Sequence, residues 1–275
     1  MAQIGNHTNV VIEEDIVRHI ILNKLRTIKQ LYKGCGEMVI ACDGKNNWRK
    51  KVFPFYKANR KKTRDDSELD WKAIFDVLNK IRDEIKENFP YIVIEIDTAE
   101  ADDIIGALAT KYGVDLNTDS TENIVIISGD KDFIQLQRFS NVKQYDPVRK
   151  KNIEHHDPIT MLKEHIIRGD TGDGVPNFLS PDNSLVDHIR QKKITEKKLE
   201  QWLAQPVINF ETELQRNFMR NAQMIDLGYT PKNIVDSTIT EYEQQKKTCN
   251  AKRSKLFNYF ITHKLKNLME NIGDF

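Results

Sequence analysis

Short apolar segments rich in β-branched residues recur through the first 150 residues of this chain, separated by stretches with helical spacing. This alternation is typical of a mostly parallel sheet covered by helices on both faces. "NVKQYD" is predicted as an edge strand, and "KDFIQLQ" as a short helix. Beyond residue 158 the strand signal nearly vanishes, and helices are predicted at 193–204, 208–227, 238–247 and 252–270. The sequence therefore predicts an α/β domain over residues 1–152, with its mostly parallel sheet flanked by helices, followed by a smaller all-helical domain over residues 153–275.

Acidic residues follow three of the predicted strands. In a parallel sheet, ligands bind beyond the carboxyl ends of the strands, so these side chains are expected to converge on one edge. Two further acids stand in "RGDTGDG", just after the predicted helix at 158–168. The acids are Asp43 after the first strand, Glu100, Asp102 and Asp103 after the second, Asp130 and Asp132 after the third, and Asp170 and Asp173.

Carboxylates clustered in this way repel one another unless cations neutralise them. Oxygen ligands without a His or Cys pattern favour magnesium or manganese. Two such ions about 4 Å apart suit phosphodiester hydrolysis. An alternative stays open for each acid taken alone, because an acid at a helix start is commonly a cap. Lys131 is expected to point to solvent, and His165 to be a helix-face residue rather than a base.

The segment from Lys45 to Arg64 carries nine Lys or Arg residues and no Asp or Glu, although the formal net charge is only +1. Such segregation indicates a basic surface beside an acidic pocket. Arg49 and Lys57 would share a face if the chain were helical there, and they are then placed to clamp a phosphate. The interleaved aromatic residues either stack on nucleobases or pack in the core.

Other features narrow the class of protein. The three cysteines have no C-x-x-C spacing, which argues against a zinc site and a disulfide framework. No apolar run approaches the roughly 18 residues of a membrane span. The N-terminus lacks a signal-peptide pattern. We expect a soluble, cytoplasmic protein without membrane association.

Four motifs in order resemble the structure-specific 5′-nuclease family, which includes flap endonucleases and the 5′-nuclease domains of bacterial DNA polymerases. They are "CDG…WRKKVFPFYKANRKK", "EADD", "SGDKDF" and "GDTGDGVP". The similarity covers nearly the whole chain and points to the T-even-type bacteriophage ribonucleases H within the family. It implies a PIN-like core and a magnesium-dependent 5′→3′ exonuclease and flap endonuclease that removes RNA primers and adjoining DNA.

The resemblance also implies roles for individual residues. Arg49 and Lys57 match the pair that contacts the scissile phosphate. Residues 58–75 match the helical arch that a 5′ single strand passes through, and residues 168–190 match a helix–turn–helix element that grips duplex phosphates. The implied ligands of two Mg²⁺ (or Mn²⁺) ions are Asp43, Glu100, Asp102, Asp103 and Asp130, with Asp132, Asp170 and Asp173 in the second cluster. The implied nucleic-acid contacts are Arg60, Lys61, Lys62, Arg64, Lys192 and Lys193.

Two departures from the family pattern stand out. The family begins with a strand ending in a ligand aspartate, whereas this chain opens "MAQIGNHTN", which resembles the residues just after that strand. Losing a central strand exposes two sheet edges, so a mis-called start is favoured over true truncation. In the duplex-gripping turn, where relatives often hold a monovalent cation, "GVPNFLSPDNS" is poor in glycine, which speaks against such a site.

Three functional hypotheses follow. The first is the metal-dependent nuclease, acting on branched or nicked DNA and RNA–DNA duplexes with a 5′ end. The second is a flap- or duplex-binding scaffold, catalytically weak because one ligand is absent. The third is a phosphatase or phospho-receiver, which leaves the basic segment unexplained. By resemblance alone, a sliding clamp and a single-stranded-DNA-binding protein are expected partners of a monomer acting in the cytoplasm of an infected bacterial host.

Overall fold

The computed structural model describes residues 13–60, 67, 69–114, 123–249 and 253–275. Over these residues the chain forms two compact units. The first unit comprises the described parts of Met1–Ile40, Arg64–Val93 and Gln244–Phe275, and the second comprises those of Ala41–Thr63 and Ile94–Glu243. The predicted boundary at 152/153 does not separate these units, because each draws on chain from both sides of it. The prediction that a first strand is absent rests on the opening segment "MAQIGNHTN", which lies outside the described residues.

Helices account for most of the regular structure. In chain order the α-helices are α1 (Glu14–Leu31), α2 (Arg49–Val52), α3 (Trp71–Asn88), α4 (Ala101–Tyr112), α5 (Pro158–Arg168), α6 (Glu196–Leu203), α7 (Thr212–Ile225), α8 (Lys232–Thr248), α9 (Arg253–Thr262) and α10 (Lys266–Met269). The strands are β1 (Val39–Cys42), β2 (Ile92–Glu95), β3 (Ile124–Ile127), β4 (Val142–Asp146) and β5 (Lys151–Ile153). The predicted α/β class with a helical C-terminal part is confirmed.

The strands form two small sheets within the described residues. Strands β1 and β2 pair with each other, and the second sheet has the order β3-β4-β5. Strand β4 runs parallel to β3, with Ile127 opposite Tyr145, and antiparallel to β5. The prediction of "NVKQYD" as an edge strand is therefore wrong. Strand β4 is central because β5 pairs with its other side. The sequence did not show this pairing, since β4 is largely polar and the short β5 carries no apolar alternation.

Each unit has its own buried core. In the first, the ring of Phe89 packs against Tyr259, Phe260 and Phe275 with centroids 5.2, 5.9 and 5.7 Å apart. In the second, the buried residues of one cluster include Phe53, Ile167, Phe178 and Phe218. Apolar side chains from distant parts of the chain thus meet in one core, which fixes the segments that carry the acids.

The segment between α5 and α6 departs from the prediction. Residues 169–195 form turns and an isolated bridge between Asp170 and Val175, without a helix, so the predicted helix–turn–helix over 168–190 is not formed. Gly169 and Gly174 have positive φ angles of 71° and 75°, which favour tight turns over helix. The predicted short helix "KDFIQLQ" is a 3₁₀ helix spanning Lys131–Arg138.

None of the helices in the described residues combines the length and apolar character needed to cross a membrane. Within the described residues, Cys35, Cys42 and Cys249 form no disulfide bond.

Candidate metal and nucleic-acid site

Asp43 follows β1 and approaches the start of α4. Its Oδ1 accepts a hydrogen bond from the Ala101 backbone N–H at 2.9 Å. The next residue, Gly44, donates its N–H to the Ala99 carbonyl at 2.8 Å, and a Cβ there would lie 2.0 Å from the Ile96 carbonyl oxygen. Only glycine permits this close approach, so the "DG" pair places Asp43 beside the first turn of α4.

Asp103 is fully buried and saturated with hydrogen bonds. Its Oδ2 accepts from Trp48 Nε1 (3.1 Å), Arg49 Nη1 (2.9 Å) and the Glu100 N–H (2.9 Å). Its Oδ1 accepts from Arg49 Nη2 and Thr230 Oγ1, both at 2.8 Å. Five donors leave no lone pair for a metal. These contacts do not support the predicted ligand role for Asp103 and indicate that it anchors α4.

Arg49 is only 2% exposed, and it is directed into the protein. Besides its bidentate contact with Asp103, it donates Nε to the Met224 carbonyl at 3.0 Å and Nη1 to Glu100 Oε2 at 3.2 Å. The predicted contact between Arg49 and a scissile phosphate is therefore not supported by this geometry. Nor do Arg49 and Lys57 share a helix, since α2 ends at Val52 and Lys57 has a positive φ of 54°.

Lys57 nevertheless reaches the same carboxylate as Arg49. Its Nζ lies 2.5 Å from Glu100 Oε1 and 3.5 Å from Asp173 Oδ2. Burial raises the pKa of Glu100, but Lys57 and Arg49 outweigh burial and lower the pKa below its usual value. Glu100 is thus an ionised carboxylate held between two cations, with the half-buried ammonium of Lys57 at the edge of the site.

Tyr56 bridges two of the predicted ligands. Its hydroxyl lies 2.8 Å from Glu100 Oε2 and 2.9 Å from Asp173 Oδ2. Burial, and then the two carboxylates, raise the pKa of the phenol, so it stays protonated. Because a phenol carries one proton, it donates to one of these acids at a time. Tyr56 is 2% exposed, and Trp48 and Phe53 are also buried. These three aromatic residues therefore pack in the core and are not available to stack on bases.

Asp173 is fixed by the turn that contains it. Lys57 N–H donates to the Asp173 carbonyl at 2.7 Å, and Arg60 forms an ion pair with Asp173 Oδ1. A Cβ on Gly174 would lie 2.7 Å from the Phe55 carbonyl, so this position requires glycine for space as well as for its φ angle. Arg60, predicted to contact nucleic acid, is therefore already paired with an acid of the site.

Asp132, His165 and Asp170 bring ligand atoms within 4.8 Å of one another. His165 Nε2 lies 3.1 Å from Asp170 Oδ2 and its Nδ1 lies 3.4 Å from Asp132 Oδ1. The Lys131 side chain is exposed, as expected, but its Nζ contacts Asp170 at 2.9 Å, so it does not point away from the acids. The hydrogen bond from His165, together with Lys131, lowers the pKa of Asp170. His165 thus lies on α5, as predicted, and it also contacts two of the predicted ligand acids.

Asp102 and Asp132 are the acids whose charge is least compensated. Burial, followed by repulsion from Asp130, raises the pKa of Asp102 to about 7. Burial also raises the pKa of Asp132 to about 6, although His165 opposes it. Within the described residues no hydrogen bond or ion pair reaches the Asp102 carboxylate, and the buried Asp132 Oδ1 accepts no hydrogen bond. Uncompensated carboxylate oxygens of this kind fit a divalent cation with hard oxygen ligands.

Asp130 and the exposed lysines complete the predicted set. Asp130 is exposed at the end of β3, and its Oδ1 caps the 3₁₀ helix by accepting from the Asp132 N–H at 3.0 Å. Lys192 and Lys193 are exposed and carry no ion pair within the part of the chain described here. Lys61, Lys62 and Arg64 lie outside the described residues, as does much of the predicted arch over 58–75.

The sequence reasoning missed Tyr56 and His165 as site residues. Tyr56 stood among core aromatics, and only its position directly before Lys57 linked it to the acids. His165 follows the helical spacing of α5, but it also precedes Asp170 by five residues across a glycine turn. That proximity to "RGD" is the signal that would have brought it into the set.

Comparisons with known proteins show the family to which the chain belongs. Residues 4–166 match the family described as "5′-3′ exonuclease, N-terminal resolvase-like domain", and residues 158–275 match "T4 RNase H, C terminal". Ribonuclease H of Enterobacteria phage T4 is 31% identical over 275 residues, covering 94% of this chain and 87% of the phage protein. The two family matches meet at 158–166, so the predicted boundary at 152/153 stays a prediction.

Solved structures from bacteriophage T5 share the fold at low sequence identity. The T5 5′-exonuclease with bound zinc has a TM-score of 0.57 at 16% identity, covering 83% of this chain and 91% of its own. A T5 flap endonuclease complex with DNA and metal ions has a TM-score of 0.58 at 15% identity, covering 84% and 91%. The resemblance predicted from the four motifs is confirmed: the chain belongs to the 5′–3′ exonuclease family of nucleases, with a C-terminal part of the T4 RNase H type.

Proposed function

We propose that this protein is a magnesium-dependent 5′→3′ exonuclease and flap endonuclease that removes RNA primers and adjoining DNA during replication. The observation that carries the proposal is the pair of half-buried acids, Asp102 and Asp132, whose oxygens lack compensation beside the cation-bound Glu100. The names of the relatives support it, since one is a ribonuclease H and another a flap endonuclease complexed with DNA and metal ions.

The residues that would hold the metal ions are Asp102, Asp130 and Asp132, with Asp43 at the border of the set. Carboxylate oxygens favour Mg²⁺ or Mn²⁺, and both are proposed as cofactors. When bound, divalent ions lower the pKa of the attacking water and stabilise charge on the phosphate. Asp170 differs from the other acids, because Lys131 forms an ion pair with it and His165 Nε2 lies within hydrogen-bonding distance.

The chain's own cations divide into two roles. Lys57 is positioned to contact the scissile phosphate, because its ammonium is half-buried at the site and its partners are single carboxylate oxygens. Arg49 instead holds Asp103 and Glu100 in position, since four of its N–H groups are engaged inside the protein. Removing Lys57 would therefore affect the chemical step, and removing Arg49 would disturb the acids.

The wider context of the activity is also a proposal. The exposed Lys192 and Lys193 are suited to duplex phosphates, whose binding is dominated by charge. By similarity to its phage relative, the protein would act as a monomer in the cytoplasm of an infected bacterium. A sliding clamp and a single-stranded-DNA-binding protein are proposed partners on the same basis.

The test is cleavage of a 5′-labelled flap and of a nicked RNA–DNA hybrid, with and without magnesium. We expect magnesium-dependent cleavage that falls by about two orders of magnitude or more in Asp102→Asn and Asp130→Asn, because each loses a ligand charge but keeps its shape. Asp236→Asn is the matched control, since this exposed acid on α8 pairs with Lys232 of the same helix. Cleavage unaffected by both site variants would refute the proposal, and flap binding without turnover at saturating magnesium would favour the scaffold hypothesis.

A further inference from the structure

The turn that precedes the exposed lysines is held by one polar face of α7. Asn217, Arg220 and Asn221 have the three- and four-residue spacing that places side chains on the same side of a helix. Asn217 Nδ2 donates to the Phe178 carbonyl at 2.9 Å, and Asn221 Nδ2 donates to the Pro176 carbonyl at 2.9 Å. Backbone carbonyls of the turn therefore face α7, where side-chain donors satisfy them.

Arg220 is the centre of this arrangement. Its Nη2 donates to the carbonyls of Pro176 and Asn177 at 3.1 and 3.3 Å, and its Nη1 donates to the Ser180 carbonyl at 3.3 Å. The same Nη1 donates to Asp182 at 2.5 Å, and Nε donates to Asn221 at 2.9 Å. All five N–H donors of a guanidinium are thereby used, in a side chain that is 7% exposed.

Three converging backbone carbonyls are also what a monovalent cation would require. The glycine-poor sequence of this turn already spoke against such a cation, and the carbonyls of Pro176, Asn177 and Ser180 surround a buried positive charge of the protein itself. Asp182 balances that charge from within the same turn. A second cation at this place would face the guanidinium without free ligands, so the residues present do not fit one.

The same turn also positions the backbone of the exposed Lys192. Asn177 Nδ2 donates to the Lys192 carbonyl at 2.8 Å, and the Lys192 N–H donates to Ser180 Oγ at 3.0 Å. The Asn177 N–H donates to Gln191 Oε1 at 2.7 Å. Asn177 and Ser180, whose carbonyls accept hydrogen bonds from Arg220, are thus also hydrogen-bonded to the backbone of Lys192.

We propose that Arg220 takes the place of a monovalent cation in this turn. Its guanidinium orders residues 176–193, and it makes duplex binding through Lys192 and Lys193 independent of potassium. The duplex-binding part of this inference rests on the proposed function. Arg220 acts through the turn and touches no nucleic acid, so it is a positioning residue.

The first experiment measures binding of the full chain to a fluorescent nicked duplex in EDTA. Potassium chloride is compared with tetramethylammonium chloride at equal ionic strength, because the organic cation cannot be coordinated by carbonyls. We expect dissociation constants that agree within about twofold. Binding that is about tenfold tighter in potassium would overturn the proposal.

The second experiment compares Arg220→Ala with Arg216→Ala. Arg216 lies on the same helix and pairs with the same Asp182, but it contacts no backbone carbonyl of the turn. We expect Arg220→Ala to weaken duplex binding about tenfold while kcat at saturating substrate stays nearly unchanged. Low concentrations of guanidinium or potassium should restore duplex binding by Arg220→Ala, whereas tetramethylammonium should not. Guanidinium and potassium should leave duplex binding by Arg216→Ala unchanged. Equal behaviour of the two variants would refute the inference.

A third readout separates this inference from the proposed function. Arg190, Lys192 and Lys193 are exposed sites for trypsin in the turn, and cleavage there reports its order whether or not the protein is a nuclease. We expect faster cleavage in Arg220→Ala, slowed by potassium, and potassium-independent cleavage in the wild type. If Arg220→Ala fails to fold, the wild-type comparison still decides, since protection by potassium there would contradict the proposal. Absence of duplex binding by the wild type would instead count against the proposed function.

Discussion

Asp102 and Asp103 are neighbours in the sequence with opposite environments. Asp103 accepts five hydrogen bonds inside the protein, whereas no donor in the described residues reaches Asp102. One residue of α4, or about 100° around the helix axis, separates a structural anchor from a candidate ligand. At the scale of the residue, the capacity to bind a metal therefore depends on which oxygens the fold leaves uncompensated, and the residue type does not determine it.

The raised pKa of Asp102 predicts a pH-dependent effect of Asp102→Asn in metal-free protein. Its pKa rises from 3.8 to about 7 on folding, so its contribution to stability is lost as the pH rises through about 7. Asparagine does not titrate. We expect Asp102→Asn to be more stable than the wild type by about 1–2 kcal/mol at pH 8, and nearly equal at about pH 4. Urea unfolding in EDTA at both pH values measures this, and an equal gain at both would contradict it.

Tyr56→Phe tests the bridge between Glu100 and Asp173. The substitution keeps the buried ring and removes the hydroxyl that lies within 2.9 Å of both carboxylates. We expect a loss of about 1–3 kcal/mol in the free energy of unfolding, because a hydrogen bond to a charged group is lost in a buried place. Tyr229→Phe, at a half-exposed tyrosine, should change stability by less than about 0.5 kcal/mol. Similar effects of the two substitutions on urea unfolding would show that the bridge contributes little.

At the scale of the element, α1 and α3 of the first unit are joined through a buried arginine. Arg18 is 1% exposed, and its Nε and Nη2 donate to Glu84 at 2.8 and 3.0 Å. The Tyr259 hydroxyl donates to the same carboxylate at 2.8 Å, so α9 joins the contact. One carboxylate on α3 therefore connects three helices.

Glu84→Gln should destabilise the first unit by about 1–3 kcal/mol, since the buried guanidinium of Arg18 loses the charge of one carboxylate partner and keeps those of Glu14 and Asp15 on α1. The control is Glu87→Gln on the same helix, whose side chain is 70% exposed and 3.5 Å from Lys255. That surface pair should contribute less than about 1 kcal/mol. Denaturant unfolding followed by circular dichroism measures both variants, and a neutral Glu84→Gln would refute the role assigned to this pair.

The elements themselves were largely predictable, whereas the partners of their side chains were not. Apolar β-branched runs located β1, β2 and β3, and helical spacing located α1, α5 and the C-terminal helices. The acids at the strand ends followed from the same pattern. Sequence reasoning could not tell that Arg49 turns inward, because burial of a charge depends on Asp103 and on the Met224 carbonyl, which is 175 residues away. Such contacts arise from tertiary packing, and no local pattern records them.

At the scale of the whole molecule, the second unit depends on residues from both sides of 152. Gln135 donates to the Ile225 carbonyl at 3.1 Å and accepts from the Leu227 N–H at 2.9 Å. Thr230 donates to Asp103 across the same division. A fragment of residues 1–152 is therefore expected not to fold, because it leaves these buried polar groups unpaired. Circular dichroism and proteolysis of the fragment measure this, and a cooperative thermal transition would contradict it.

The pairing of the site's cations has a consequence for how binding responds to salt. Lys57, Arg60 and Lys131 each already hold a carboxylate, so a phosphate arriving there exchanges one anion for another and releases few bound counterions. Lys192 and Lys193 are exposed, and each should contribute about one to the slope of log Kd against log salt. We expect Lys192→Ala to reduce that slope by about one. Lys57→Ala should slow cleavage and leave the slope unchanged. Titrations over a range of potassium chloride concentrations would show whether the phosphate displaces carboxylates from the paired lysines of the site, while the exposed lysines release counterions.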